Sequence, residues 1–220
     1  MKSQAQSNVT AVQVQAGDAV LAGDRAVPEE AVGIVVFAHG SGSSRHSPRN
    51  RFVAGHLNGR GLATLLLDLL TEREDAEDQY TRAWRFDIPL LARRLELAVE
   101  SVTSAPATRD LPVGLFGSST GAAAALIAAA DQPGSVRAVV SRGGRPDLAA
   151  EALGEVRCPT LLIVGGNDEG VIELNRQAME RMGCEKRLEI VPDATHLFEE
   201  PGALEAVADL AAEWFRQKLS

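Results

Sequence analysis

The stretch Leu111 to Ala130, LPVGLFGSSTGAAAALIAAA, leaves this chain few folds to choose from. Val113 to Phe116 is an apolar run of the kind that forms a buried strand. Gly117-Ser118-Ser119-Thr120-Gly121 follows without a spacer, and a run of Ala, Leu and Ile then predicts a helix. A strand, a glycine-flanked turn and a helix are the setting in which G-x-S-x-G displays a serine at the edge of a sheet. Gly117 and Gly121 have no Cβ and leave room for the sharp turn. Ser119 then stands clear of the sheet. The Thr120 N–H, at the helix start, is placed to face an oxygen that gains negative charge.

Strands and helices alternate through nearly the whole chain. Val9 to Val14 alternates apolar and polar residues like a half-buried strand, and Ala19 to Leu21 is expected to pair back on it across Gly17-Asp18. Gly33 to Ala38 reads as a central strand buried on both faces. Pro48 is placed to open a helix running to about Gly59. Ala63 to Leu67 is the next strand. Thr71 to Tyr80 is acidic and polar, and is expected to be an exposed loop or helical turn. Phe86 to Val102 carries Ile88, Leu91, Leu95, Ala98 and Val102 at helical spacing. After the serine come strands at Val136 to Val140, Thr160 to Val164 and Leu188 to Val191. Asp147 to Leu153 is a short helix in this reading, Val171 to Met182 a longer one, and Gly202 to Leu219 a closing one. The pattern builds a mostly parallel sheet with helices on both faces, an α/β architecture.

Length and composition bound the rest. The 220 residues suit one domain, residues 1–220, with residues 1–8 expected to be flexible. A net charge of −8 argues against general nucleic-acid or membrane-surface binding. No apolar run is long enough to span a bilayer, and MKSQAQSNVT lacks the apolar core of a signal peptide, so a cytoplasmic protein is expected. Cys158 and Cys184 form neither a zinc pattern nor a disulfide scaffold.

Ligands of such sheets bind beyond the carboxyl ends of the strands. Four loops meet that condition: His39–Ser44, Ser118–Thr120, Asn167–Asp168 and the loop holding His196. A serine nucleophile needs a base. In sheets with this elbow the partners follow in the order serine, acid, histidine. Of His39, His46, His56 and His196, only His196 lies after Ser119. Asp168, at a strand end between the two, is the acid that would orient it, with Glu169 as competitor and Asp193 too near in sequence to be an obvious choice. The oxyanion donors are the backbone N–H groups of Thr120 and, from the loop after Gly33–Ala38, Ser41. His39 is expected to support that loop rather than to move protons.

These motifs carry a resemblance. Ser119 in GSSTG, Asp168 in GGNDEGV, His196 in ATHLFEEPG and the HGSGSS loop resemble the α/β-hydrolase superfamily, and within it the dienelactone-hydrolase-like branch. HGSGSSRHSPRNR, SRGGRPDLA and PTLLIVGGNDEGVIELNR resemble a serine-nucleophile bacterial subgroup, some members of which are fused to a phosphoribosyltransferase domain. The resemblance implies an α/β-hydrolase fold, acyl transfer through Ser119, His196 and Asp168, and no metal or organic cofactor. By resemblance alone, it also implies a phosphoribosyltransferase partner. Dienelactone hydrolases proper use a cysteine nucleophile. Neither cysteine here stands at an elbow, so hydrolysis of small carboxylic esters by a serine is expected in place of dienelactone chemistry. Thioesters, lactones, or a non-catalytic pocket for a ligand or partner are the rival readings.

Two stretches bear on selectivity. Ser141 to Pro159 leaves room for about one short helix, which predicts a minimal or absent cap. Arg45, Arg49 and Arg51 crowd behind the oxyanion loop, and Arg142 and Arg145 follow another strand end. Arg45, Arg49 and Arg142 are the candidates for binding an anionic substrate group. The bland alternative is that nearby acids pair with them.

Overall fold

A computed structural model describes residues 9–220, so the expectation of a flexible segment over residues 1–8 lies outside the described residues. Eight strands form one sheet in the order β1-β2-β4-β3-β5-β6-β7-β8. Strands β1 (Val9–Ala16) and β2 (Ala19–Ala26) form an antiparallel hairpin. The hairpin joins the rest antiparallel through β4 (Ala63–Leu67). All remaining pairs are parallel: β3 (Ile34–Ala38), β5 (Val113–Ser118), β6 (Val136–Arg142), β7 (Thr160–Gly165) and β8 (Lys186–Val191). Helices cover both faces, and the architecture is the α/β-hydrolase fold.

Alternation along the strands sorts the core into two layers. Ile34, Val36 and Ala38 of β3 pack with Val113 and Leu115 of β5 beneath α3 (Ile88–Ser104) and α4 (Thr120–Asp131). Val35 and Phe37 face the other way with Phe116, beneath α1 (Pro48–Gly59) and α6 (Ala203–Leu219). The Phe37 and Phe116 rings meet at 4.8 Å and a 33° tilt, an aromatic pair that adds about 1 kcal/mol to its area burial. The alanines of α4 are buried as far as Ala129, because α3 and residues 146–155 pack on the helix from the sides and β5 lies beneath it.

Three expectations shift in detail. The second strand runs on to Ala26, since its outer half pairs with β4 as well as β1. Lys186 and Arg187 belong to β8, an edge strand whose one buried residue is Val191. Thr71 to Tyr80 is not a loop but a helix, α2 (Glu72–Thr81). Its start is fixed by a capping box: the Thr71 hydroxyl accepts from Glu74 N–H, and the Glu74 carboxylate accepts from Thr71 N–H. Between β6 and β7 the chain makes only tight 3₁₀ turns, Pro146–Glu155, kinked at Ala150, and no cap is built. No helix among the described residues is long and apolar enough to cross a membrane. The final element before the site is α5 (Glu169–Arg181), which follows β7.

Candidate active site

Ser119 occupies the sharp turn between β5 and α4 with φ 50° and ψ −120°. A residue with a Cβ holds this conformation at a cost of about 1–3 kcal/mol, so the surroundings must enforce it. They do so from two directions. The Ser119 N–H donates to the Arg142 carbonyl at the end of β6 (3.2 Å), and its carbonyl accepts from the Arg145 N–H (3.1 Å). On the other side, a Cβ at Gly121 would lie 2.3 Å from the Ala38 carbonyl oxygen and 2.5 Å from that of His39. Only glycine lets the helix start press this close to β3. The serine is therefore held out of regular structure by backbone on both flanks.

The loop after β3 lies against this elbow. A Cβ at Gly40 would be 3.1 Å from Ser119 Cβ. Neither the Ser41 N–H nor the Thr120 N–H donates to a protein acceptor among the described residues. His39 supports the loop, as expected. It is buried, its Nδ1–H donates to the Gly40 carbonyl (2.9 Å), and its Nε2 accepts from the Leu69 N–H (3.0 Å). This uses the neutral ring, and burial holds the His39 pKa below its ordinary value. The sign of the linkage follows. Stability is complete above about pH 6.5, the unfolded value, and falls as the pH drops below it, because the unfolded chain takes up a proton that the folded chain resists. Urea denaturation between pH 7.5 and 5 should show this loss in the wild type and a flatter profile in His39→Gln.

Asp168 and His196 come from the loops that follow β7 and β8. Asp168 stands just before α5 in the loop after β7, and its Oδ2 lies 2.6 Å from His196 Nδ1. Glu169 is the first residue of α5 and is not the partner. Asp193, at φ 59°, turns the histidine loop instead, and its carbonyl accepts from Asn167 Nδ2 (2.8 Å). The Asn167 N–H also donates to the Ala194 carbonyl (2.9 Å). Asn167 thus ties the acid loop to the histidine loop, a role that a residue beside Asp168 gives no sequence signal for. Phe198 anchors the histidine loop in the core at 1% exposure, whereas Leu197 is turned outward. A Cβ at Gly143 would be 3.5 Å from His196 Cε1, so the end of β6 touches His196 and holds Ser119 as well. With Nδ1 engaged by Asp168, Nε2 is the ring nitrogen left for proton transfer.

The arginines divide. Arg45 binds Asp68 through its backbone N–H and its guanidinium, and lies 3.6 Å from Asp24, so its charge is already met. Arg51 pairs with Asp24 and Arg145 with Asp147, the latter through two hydrogen bonds. Arg49 pairs with the exposed Glu199 at 2.8 Å. Arg142 is buried, and two of its guanidinium nitrogens have no partner. Neither cysteine competes with Ser119. Burial pushes the Cys158 thiol up to about 12, with neighbouring Cys184 adding to the shift, and both stand at the entries of β7 and β8, the ends opposite the site.

Comparison with known proteins bears on the family and the fold. The family model described as "Dienelactone hydrolase family" matches residues 18–219. The chain belongs to that family. A solved dienelactone hydrolase from Anabaena variabilis is 58% identical, covers 98% of this chain and 100% of its own, and superposes with a TM-score of 0.96. Est1E from Butyrivibrio proteoclasticus, 16% identical over 95% of this chain and 98% of its own, has a TM-score of 0.79 and shares the fold. A Mycobacterium tuberculosis protein with a provisional phosphoribosyl transferase name is 60% identical over 204 residues. Those residues are 93% of this chain and 45% of that protein, so the chain spans about half the length of the curated relative.

Proposed function

We propose that this dienelactone hydrolase family member is a serine hydrolase of small carboxylic esters. The observation that carries the reading is the 2.6 Å contact of Asp168 with His196, on the same rim where backbone contacts hold Ser119 at φ 50°. In this reading Asp168 keeps His196 in the tautomer with a proton on Nδ1. His196 Nε2 takes the Ser119 hydroxyl proton as Oγ attacks the ester carbonyl. The N–H groups of Thr120 and Ser41 receive the oxyanion, each worth about 3 kcal/mol in the transition state. His196 then returns the proton to the leaving alcohol. Water, deprotonated by His196, releases the acid and restores the serine. With no cap between β6 and β7, the cleft stays open, which suits small or exposed esters over long buried chains.

The phosphoribosyl transferase name belongs to a protein of which this chain matches 45%. The reading assigns hydrolysis to the matched part and phosphoribosyl transfer to the remainder. A phosphoribosyltransferase domain is then the expected partner.

Labelling with a fluorophosphonate, beside hydrolysis of short p-nitrophenyl esters, tests the proposal. Wild type should label at one site and turn over, and Ser119→Ala should do neither. A folded wild type that does not label would sink the reading in favour of a pocket that only binds.

A further inference from the structure

Arg142 is the last residue of β6 and the neighbour of Ser118 in the sheet. Alternation puts its side chain on the same face as Val140 and Ser118, toward α1. Ser118 Oγ donates to Asn50 Oδ1 in the first turn of α1, which fixes that side as the floor below this helix start. The residue is 8% exposed, yet its Nε and Nη1 have no hydrogen-bond partner. Its charged neighbour is Arg49, of the same sign, whose Nε is buried and unpartnered too. A buried cation beside another cation, with donors unmet, is an arrangement a chain does not keep for stability. Desolvation and Arg49 together lower the Arg142 pKa to about 10, so it stays charged at neutral pH.

The location says what these donors await. The backbone of Arg142 holds the Ser119 N–H, and the next residue, Gly143, abuts His196. Arg49 follows the oxyanion loop on α1 and is bridged to Glu199, three residues beyond His196. Glu199 is 63% exposed and easily exchanged for a stronger anion. Both arginines thus belong to segments that frame the elbow: Arg142 closes β6 beside Ser118, and Arg49 opens α1 and is tied through Glu199 to the histidine loop.

We propose that Arg142 and Arg49 form a subsite for an anionic group, carboxylate or phosphate, carried by the ester substrate at a distance from the scissile carbonyl. Planar guanidinium donors match the paired oxygens of either group. This inference deepens the esterase reading and rests on it for the place of the reacting carbonyl. Arg45, held by Asp68 and Asp24, is not part of the subsite.

Two measurements test it separately from catalysis. In the first, kcat/KM is compared for methyl hexanoate and monomethyl adipate, which differ by a distal methyl against a carboxylate. 4-Acetoxybutyl phosphate against pentyl acetate forms the phosphate arm. Wild type should favour one anionic ester by ten-fold or more. The preference should fall to about one in Arg142→Met and be partly restored in Arg142→Lys. In the second, succinate and inorganic phosphate are titrated into Ser119→Ala and followed by calorimetry. One of them should bind saturably, and not to Ser119→Ala/Arg142→Met. Melting of the Arg142→Met protein adds a check. It should melt above wild type, because an uncompensated buried charge has gone. A lower melting temperature would make Arg142 a structural support and overturn the subsite. So would the absence of both anion preference and anion binding in protein that still labels with a fluorophosphonate. Anion binding without labelling would instead reject the esterase reading and leave the subsite standing.

Discussion

Exchange of Asp168 for asparagine is expected to lower kcat on p-nitrophenyl esters by about four orders of magnitude, with KM little changed. The 2.6 Å contact with His196 Nδ1 is the reason. A carboxylate can only accept, so Nδ1 must carry a proton, and in the proposed reaction Nε2 is the nitrogen that receives one from Ser119. An asparagine amide is able to donate instead. It then stabilises the ring with its proton on Nε2, where the base function is lost. Asparagine also lacks the negative charge that meets the imidazolium formed in the transition state. The fold should not register the change, since Asp168 makes no side-chain cap for α5. Steady-state kinetics over pH 6 to 9, with thermal melting as a control, would check this. A loss of less than ten-fold would mean that Asp168 does not serve His196 during turnover. Glu169→Gln is the matched control, because Glu169 has no contact with the histidine and should cost little.

The catalytic reading rests on elements that short-range pattern makes legible. The elbow and the central strands are written in contiguous residues, and the sheet assembled as the alternation of strands and helices requires. What was hidden depends on distance in sequence. Thr71 to Tyr80 lacks an apolar stripe, so its pattern reaches no further than an exposed loop or a helical turn, although Thr71 and Glu74 stand at the spacing of a capping box. The helix persists because Glu74 and Asp78, polar residues, are its buried ones. Their partners, Arg94 and Arg85, lie 20 and 7 residues away. Asn167 looks like a turn residue until the histidine loop is packed against it. The fate of each arginine was equally closed to pattern. Arg45 and Arg142 are alike in sequence terms, yet one meets two carboxylates and the other meets none.

That contrast has an energetic side. Burial, with Arg49 adding to it, lowers Arg142 to about 10, and at about 1.36 kcal/mol per pKa unit the fold gives up on the order of 3 kcal/mol at neutral pH to keep it charged. Arg94, also buried, is the opposite case, because its charge is matched on every side. Its Nη1 donates to the Leu69 carbonyl (2.8 Å), and both terminal nitrogens reach Glu74 (2.8 and 2.7 Å). Leu69 in turn gives its N–H to His39, which holds the loop carrying Ser41. The loop after β3 is thus braced through Leu69 by an ion pair two elements away.

Arg94→Met should therefore cost about 3–5 kcal/mol of stability, because it leaves the Glu74 carboxylate buried without its cation. The replacement keeps much of the side chain's volume, so the loss reports charge rather than a cavity. Changing both partners, Glu74→Leu with Arg94→Met, should cost much less than Arg94→Met alone, since no charge is then stranded. The pH dependence separates this account from simple misfolding. Burial works to raise the Glu74 carboxyl, but hydrogen bonds from Arg94 and from the Thr71 backbone and hydroxyl outweigh it and bring it to about 2. In wild type this support is complete above about pH 4.5 and is lost as the pH falls from there toward 2. Without Arg94, only the Thr71 hydrogen bonds oppose burial, so the folded carboxyl lies higher than in the wild type and the variant should lose less on acidification than the wild type does. Urea denaturation at pH 7 and pH 3 would show the gap between the two proteins narrowing. A gap of constant width would mean that Arg94 acts through packing alone. Because the brace ends at His39, the same variant should lose ester turnover even where it remains folded, a loss that mere destabilisation would not produce at low temperature.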